Sequence, residues 1–343
     1  MRNLILIFFA LLCFSSNAAD PSCLKVSDSA CSVYNNLGRG VNLGAVFDRS
    51  VYGELGVKYS PELENAILDF DSVRIPVKFG SFASVDATAK LDPLFMERLD
   101  LVVNRLLSKN KTVILSFFHY RQITGGKLNF GESEVDELVL EERFVNIWSQ
   151  LAERYKGYGK KLVFEVYNEP HGRLSGSTWR NLFDRGLKRI RLIDPRRIVI
   201  FGADDWSSIA GLEASNPVDD VNVIYTVHVY DPFLFTHQGA SWVKPTRPVG
   251  VSCCDYAQIA LIRNRIFRIS RWSKTYGRPV FVGEFGSINI ADHKSRIEYT
   301  STFVALAREY RIPWFYWQIA SDFGVFDFKS SKWLPGFRDV LLR

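Results

Sequence analysis

The sequence has few long apolar stretches and no linker-like segments. One apolar stretch, residues 4–14, lies at the N-terminus, and no later run approaches the roughly 20 residues that a membrane-spanning helix needs. No internal repeat, low-complexity tract or Pro- or Ser-rich linker interrupts the remaining chain. We therefore expect no further membrane segment and one large domain rather than a string of modules. The hydrophobic content of 47% is enough for a sizeable core.

Clusters of like charge are also missing. The formal net charge is +6, but the 43 Lys and Arg residues are scattered among 37 acidic ones and form no basic stripe. Nucleic-acid binding is therefore not expected. The five histidines are dispersed, and no His-x-His occurs near the first predicted strand, which disfavours a metal-dependent hydrolase. The sequence predicts no cofactor and no metal.

Cysteine is scarce. Of the five, four lie beyond the N-terminal apolar stretch: Cys23, Cys31, Cys253 and Cys254. Four cysteines allow three pairings, and neither close pair has the spacing of zinc ligands. We favour a local Cys23–Cys31 bridge ahead of the first strand. Cys253 and Cys254 are then either a vicinal bridge or buried thiols.

The N-terminus has the layout of an export signal. Arg2 supplies a positive start, the apolar stretch follows, and Ala18 and Ala19 end a run of small residues suited to cleavage. We predict a signal peptide over residues 1–19 and a mature domain over residues 20–343, secreted to the periplasm or the exterior. A retained membrane anchor is the alternative.

Short apolar runs alternate with amphipathic segments along the rest of the chain. The runs are continuous and rich in Val, Ile and Phe, which is typical of parallel strands covered on both faces. They predict eight strands, at residues 39–43, 72–79, 112–118, 162–167, 197–202, 222–230, 279–284 and 313–319. Eight strand–helix units in about 300 residues indicate an α/β chain folded as a single (β/α)₈ TIM barrel with decorated βα loops. An open doubly wound sheet is the alternative, but no convincing phosphate-binding turn supports it.

Two acidic residues end apolar runs. Glu169 lies in Tyr-Asn-Glu-Pro-His-Gly, residues 167–172, and Glu284 lies in Gly-Glu-Phe-Gly, residues 283–286. A pair of carboxyl groups is what glycoside hydrolysis requires, one to donate a proton and one to act as nucleophile or base. A single Glu in such a position is more often a helix cap or a solvated loop residue.

Further polar and aromatic residues occur near the C-terminal ends of the predicted strands. In a (β/α)₈ barrel these ends meet at one mouth, where the catalytic groups gather. Each has an ordinary structural explanation when taken alone: a salt-bridge arginine, a buried histidine or a core tryptophan. Together with Glu169 and Glu284 they occur on six strands, and this joint occurrence favours a site. These residues are Arg74, His119, Asn168, His228, Tyr230 and Trp317.

With these eight residues and the two motifs around Glu169 and Glu284, the chain resembles the glycoside hydrolase family 5 enzymes over essentially its whole mature length. The run Thr-His-Gln-Gly-Ala-Ser-Trp, residues 236–242, is similar to the endoglucanase branch of that family. The resemblance implies a retaining barrel glycosidase that needs no metal. It also implies a monomer that acts on a β-glucan polysaccharide or oligosaccharide.

The resemblance, together with the chemistry of each group, suggests roles. Glu169 is expected to be the acid/base, with its anion destabilised chiefly by the second carboxylate. Glu284 is expected to be the nucleophile, kept ionised by Arg74 and Tyr230, at roughly 5 Å from Glu169. Asn168 and His119 are expected to contact sugar hydroxyls, His228 the acid/base, and Trp317 one face of the sugar. Trp242 is the first choice for a further sugar platform and Trp206 a weaker one.

Three departures from the family pattern bear on the substrate: Phe118 before His119, Gln318 after Trp317, and Arg173 after Gly172. None of them removes a catalytic group, but each can alter the recognition of sugar hydroxyls. From the resemblance to the endoglucanase branch we predict an endo-β-1,4-glucanase acting on cellulose-like or mixed-linkage glucans. A β-mannanase or a dual glucanase/mannanase is the alternative within the enzyme class. A catalytically silent carbohydrate-binding barrel is the alternative outside it.

Overall fold

Eight parallel strands close into a barrel in the computed structural model, which describes residues 20–48, 57–128 and 132–343. Each strand pairs with the next along the chain, and the eighth pairs with the first. A two-stranded antiparallel ribbon, β9 and β10, follows the barrel. The strands are β1 Arg39–Asn42, β2 Ser72–Val77, β3 Thr112–Phe117, β4 Leu162–Glu165, β5 Val199–Gly202, β6 Val223–His228, β7 Val280–Phe285, β8 Trp314–Tyr316, β9 Phe326–Asp327 and β10 Lys332–Trp333.

Most of the helices lie between the strands and cover the barrel from outside, whereas the first precedes β1 and the last follows β10. The helical segments are α1 Asp28–Asn35, α2 Pro61–Leu68, α3 Pro93–Ser108, α4 Arg121–Thr124, α5 Leu140–Arg154, α6 Gly176–Ile193, α7 Asp204–Ser207, α8 Ile209–Ala214, α9 Phe233–Thr236, α10 Tyr256–Tyr276, α11 His293–Tyr310 and α12 Phe337–Leu342.

Local sequence determines where the long helices begin. The side chains of Asp92 and Asp292 accept backbone N–H bonds at the starts of α3 and α11. Asp255 and Gln258 form a reciprocal capping box at the start of α10, and Gly277 ends that helix in the left-handed conformation. Such caps satisfy backbone groups that the helix itself leaves without partners.

Two apolar layers hold the barrel together. The outer layer lies between strands and helices, and it includes the fully buried Trp148 and Trp179. The inner layer contains residues from six strands, among them Phe281 and Phe315, and it is continuous with Tyr34 of α1. Helix α1 therefore packs against the interior of the barrel, away from the strand ends that carry the polar residues.

The structure pairs the cysteines locally. Cys23 is bonded to Cys31 on α1, with their Cα atoms 5.5 Å apart, in the pairing favoured from the sequence. Cys253 is bonded to Cys254, the vicinal alternative. The second bridge lies just before α10, at the end of the long connection that follows β6.

The predicted (β/α)₈ barrel is confirmed, and all eight strands occur in the predicted order. Several strands are shorter than predicted, because the apolar runs continue into the buried starts of the following loops. Trp317 consequently follows β8 instead of lying on it. The predicted signal peptide falls outside the described residues. Within those residues, no helix has both the length and the apolar character needed to cross a membrane.

The inner layer can be tested through Phe315. Its ring is fully buried and approaches the Gly40 backbone so closely that a Cβ added there would lie 2.3 Å from the ring. Phe315→Ala should lower the free energy of unfolding by about 3–5 kcal/mol, because it removes a large packed side chain and leaves a cavity. Denaturant titration measures the loss. Leu101→Ala, at a position 67% exposed on α3, is the control and should change stability by less than about 0.5 kcal/mol. A loss below about 1 kcal/mol for Phe315→Ala would contradict tight packing inside the barrel.

Candidate active site

Glu169 and Glu284 lie together at the mouth of the barrel, as their positions in the sequence predicted. Glu169 is four residues beyond the end of β4, and Glu284 is the fifth residue of β7. An oxygen of each carboxyl group and a ring nitrogen of His228 all lie within 4.8 Å of one another. Two carboxyl groups this close match retaining glycosidases, in which they are about 5 Å apart, whereas inverting enzymes separate them by about 6.5–9.5 Å.

Arg74 lies beneath this pair and is completely buried. It is the third residue of β2, deeper in the barrel than the end of the strand. Its Nη1 donates to Glu284 Oε1 at 2.8 Å and to Asn42 Oδ1 at 2.8 Å. Its Nε and Nη2 donate to both oxygens of Glu165, each at 2.6 Å. Nη2 also donates to Asn168 Oδ1 at 2.7 Å and to Ser116 Oγ at 3.0 Å, so one guanidinium contacts five side chains.

Glu284 accepts hydrogen bonds on both oxygens. Oε1 accepts from Arg74, and Oε2 accepts from the Tyr230 hydroxyl at 2.8 Å. These are the two donors expected from the sequence. A register shift between β6 and β7 pairs His228 with Glu284 directly, so both side chains point to the same mouth. Gly283 makes the shift possible, because a Cβ there would lie 2.4 Å from Thr226 Oγ1.

Glu169 has weaker hydrogen-bond support. Its Oε1 is 2.7 Å from His228 Nδ1, and its Oε2 is 3.5 Å from Asn168 Nδ2. Its backbone adopts a φ of +51°, which is unusual for a residue with a side chain and is typical of constrained functional positions. Burial raises the pKa of Glu169 to about 7. The sequence had suggested the neighbouring carboxylate as the main cause, but loss of hydration is the larger effect.

The hydrogen bonds indicate which carboxyl group keeps a proton. Burial raises the pKa of Glu284 to about 7 as well, the same value as for Glu169, and the neighbours that lower it include Arg74 and the hydroxyl of Tyr230. Glu169 receives hydrogen bonds only from neutral groups, because burial lowers the pKa of His228 to about 4. When the pair holds one proton, the anion is better stabilised at Glu284, and the proton remains on Glu169.

The other predicted residues surround this pair. Asn168 is fixed by Arg74, with its amide nitrogen towards Glu169. His119 follows β3 with a φ of +40°, and burial lowers its pKa well below the usual range, so the ring is neutral. The ring of Trp317 stacks on Phe118, with centroids 5.5 Å apart and an angle of 16° between the planes. Phe118, a departure from the family pattern, therefore lies against the expected sugar platform.

Trp242 lies farther out in the connection after β6 and is 55% exposed. Its ring contacts Phe323 at 6.4 Å, and Phe323 contacts Tyr230 at 5.9 Å, so an aromatic chain links Trp242 to the carboxyl pair. Trp206 is 53% exposed and stacks on His171 at 4.6 Å, beside Glu169. Both predicted platforms therefore border the same mouth.

Glu169, His228 and Glu284 are the one group of potential metal ligands among the residues that the structure describes. A histidine and two carboxylates suit a divalent cation in principle. Both oxygens of Glu284 already accept hydrogen bonds, however, and one donor is the cation Arg74 at 2.8 Å. That positive charge opposes a second cation at the same carboxylate.

Sequence reasoning missed the polar residues below the mouth. Glu165, Asn42 and Ser116 are fully buried inside the barrel, and each accepts a hydrogen bond from Arg74. A signal was present for Glu165, since it is the one acidic residue within the apolar run before Asn168. Phe323, which connects Trp242 to Tyr230, was also missed, because its loop carries no strand pattern.

Comparisons with known proteins identify the family. Residues 65–322 match the family described as cellulase, glycosyl hydrolase family 5. Endoglucanase H of Acetivibrio thermocellus is 29% identical over 77% of this chain, and Endoglucanase 3 of Fibrobacter succinogenes is 25% identical over 79%. The matches cover 27% and 47% of those two relatives, so the chain spans about a quarter to a half of their length.

Solved structures give the same result at the level of the fold. Thermotoga maritima Cel5A in complex with mannotriose has a TM-score of 0.84 and 34% identity, covering 90% of this chain and 99% of the other. The same enzyme in complex with cellobiose has a TM-score of 0.83 and 34% identity, over 90% and 99%. The chain belongs to the cellulase family of glycoside hydrolases, glycosyl hydrolase family 5.

Proposed function

We propose that the chain is a retaining endo-β-1,4-glucanase that hydrolyses internal bonds of cellulose-like or mixed-linkage β-glucans. The carboxyl pair carries this proposal, because Glu169 and Glu284 lie within 4.8 Å of each other and have different hydrogen-bond support. The family assignment and the endoglucanases among its relatives support the choice of substrate.

In the first step, Glu284 attacks the anomeric carbon while Glu169 gives its proton to the departing glycosidic oxygen. Arg74 and Tyr230 keep Glu284 ionised and hold it in position for attack. The bond to the leaving sugar breaks as the ester to Glu284 forms. The burial that raises the pKa of Glu169 lets it hold a proton near neutral pH and release it only to the leaving group.

In the second step, the ionised Glu169 takes a proton from water, and the water oxygen attacks the anomeric carbon. The ester bond breaks and Glu284 returns as a carboxylate. His228 touches both groups, at 2.7 Å from Glu169 and 3.6 Å from Glu284, and it supports Glu169 through both steps. Two displacements return the anomeric centre to its original configuration.

The aromatic residues and the side-chain amide of Asn168 determine the orientation of the bound sugar. Trp317 offers a ring face to the sugar at the cleavage point, and Asn168 and His119 contact its hydroxyls. Trp242 provides a platform farther along the mouth, and Trp206 a second one next to His171. Their exposure supports this role, since a polysaccharide can reach both rings without any rearrangement of the barrel.

We also infer that residues 20–343 form the catalytic domain, that the protein is exported by its first 19 residues, and that it acts as a monomer without a metal or another cofactor. All eight residues of the proposed site lie on the strands of the closed barrel or in the loops that directly follow them, which supports a single catalytic domain. Export rests on the charge and the apolar stretch at the start of the sequence.

A dual glucanase/mannanase is the second candidate. Thermotoga maritima Cel5A, which is 34% identical to this chain, is found in complex with both cellobiose and mannotriose. Glucose and mannose differ in the orientation of one hydroxyl group, which few side chains need to distinguish. Phe118 stacks on the Trp317 ring and Gln318 follows Trp317 in the chain, so these are the two residues on which we expect this choice to depend.

Glu284→Gln should reduce kcat by at least about 10⁴-fold, because the amide cannot form the glycosyl ester. Binding of a cellooligosaccharide, measured by calorimetry, should remain. Glu309→Gln on the exposed face of α11 is the matched control and should keep wild-type turnover. A Glu284→Gln protein that has lost its melting transition would instead make Glu284 a structural residue.

Glu169→Ala should remain active mainly on aryl glycosides with good leaving groups, which depart without a proton, and azide should restore turnover by forming a β-azide product. In the wild type, activity on cellooligosaccharides should fall as the pH rises through about 7, because Glu169 then loses the proton it must donate. Activity should also fall at low pH, where Glu284 becomes protonated.

In Glu169→Ala, the alkaline limb should be missing from the pH profile for activated substrates. The control is wild-type protein assayed on the same substrates. An alkaline limb that persists unchanged in the variant would assign the titration to another group and remove Glu169 from the role of acid.

The substrate itself is tested with β-glucan, glucomannan, mannan and xylan, with product sizing and NMR of the first-formed anomer. We expect mixed oligosaccharides from β-glucan, released as the β-anomer. Comparable turnover of mannan would favour the dual enzyme, and release of the α-anomer would exclude the retaining mechanism.

A further inference from the structure

We propose that Glu165 is a positioning residue that sets the charge balance of the carboxyl pair through Arg74. This inference rests on the proposed function. Glu165 is the last residue of β4, is completely buried and lies below the mouth, so it acts through Arg74 instead of through contact with the sugar.

Glu165 binds the Nε and Nη2 edge of the guanidinium in a bidentate contact. Both of its oxygens accept from Arg74, on Nε and Nη2, at 2.6 Å each. Glu284 receives only one bond from the same group, on Nη1 at 2.8 Å. A bidentate pair fixes the plane of a guanidinium more strongly than a single bond does. The direction in which Nη1 points at Glu284 is therefore set by Glu165.

Glu165 also offsets part of the positive charge of Arg74 that acts on Glu284. The groups that face Glu284 are Arg74, Glu169, His228 and Tyr230, and Glu165 lies behind Arg74. Glu169 is faced in addition by His171, whose Nδ1 is 2.6 Å from its backbone oxygen. With Glu169 protonated and His228 neutral, one cation serves two carboxylates, which leaves a net charge of about −1 in the dry interior.

This excess negative charge has a chemical effect. If Glu284 were the only carboxylate paired with Arg74, the ion pair would stabilise its anion and make it a weaker nucleophile. Because Glu165 accepts two of the guanidinium hydrogen bonds and offsets its charge, Glu284 remains ionised but reactive. The same negative charge raises the pKa of Glu169, although less than burial does, and so helps it to hold its proton.

Glu165→Gln tests the idea, since it removes the charge and nearly preserves the shape. The loss of a negative charge favours the ionised forms of both Glu284 and Glu169. Both limbs of the kcat/KM profile should therefore move to lower pH, by about one unit. Ser116→Ala is the matched control, because it removes another acceptor of Arg74, at 3.0 Å, without a change in charge. Both limbs of the kcat/KM profile of Ser116→Ala should stay at the pH values of the wild type.

Glu165→Asp is the second variant. It keeps the charge, but its side chain is shorter by one methylene, which loosens the bidentate contact. Both limbs should stay near those of the wild type, and KM should change by less than about twofold, since the substrate is not touched. The value of kcat per active site should fall by about tenfold to a hundredfold, because Arg74 no longer positions Glu284.

Active sites are counted by the burst of leaving group from an activated 2-deoxy-2-fluoro-glucoside, so a loss of folded protein is not mistaken for slower chemistry. Limbs of Glu165→Gln that coincide with the wild type, or wild-type kcat in Glu165→Asp, would overturn the proposal. Failure of both variants to fold would assign Glu165 to the fold alone. If the wild type itself gives no burst and no bell-shaped profile, the proposed function fails instead.

Discussion

The site depends on one buried cation. Arg74 is fully enclosed by the barrel, where an unpaired guanidinium would be very unfavourable, and all of its hydrogen bonds within the described site go to side chains from other strands or their ends. Those partners come from β1, β3, β4, β7 and the loop after β4. Closure of the barrel therefore brings together the side chains that pair with the buried cation. Folding of the barrel and assembly of the proposed catalytic groups depend on the same contacts.

This arrangement explains how two glutamates with similarly raised pKa values can take the different roles proposed for them, although Glu169 is the more exposed of the two. Burial raises the pKa of both carboxyl groups, to about 7 in each case. Hydrogen bonds then break the symmetry, since Glu284 accepts from Arg74 and Tyr230 whereas Glu169 is next to a neutral His228. The assignment of acid and nucleophile thus follows from the donors and not from the depth of either side chain.

The sequence was sufficient for the barrel and for the rim of the site, because strand ends carry a local signal: an apolar run followed by a polar residue. It was insufficient for the interior. Asn42, Ser116 and Glu165 appear as isolated polar residues within or beside apolar runs, and only the closed barrel shows that they share one partner. Strand boundaries were overestimated for a related reason, since buried loop starts such as Trp317 are as apolar as the strands before them.

The proposed catalytic residues and the proposed sugar platform lie on different parts of the fold. The carboxyl pair is anchored to strands and to a buried ion pair, so it tolerates little change. The residues around the sugar platform lie after the strands: Phe118 stacks on Trp317, and Gln318 is packed so tightly that a Cβ on Gly44 would lie 1.6 Å from its Oε1. An aromatic ring offers no hydrogen bond to a hydroxyl group, and an uncharged amide offers a weaker one than a carboxylate. We therefore expect recognition at the proposed Trp317 platform to depend more on ring contacts than on fixed hydroxyl bonds, which would favour tolerance of an altered hydroxyl without a change at the carboxyl pair.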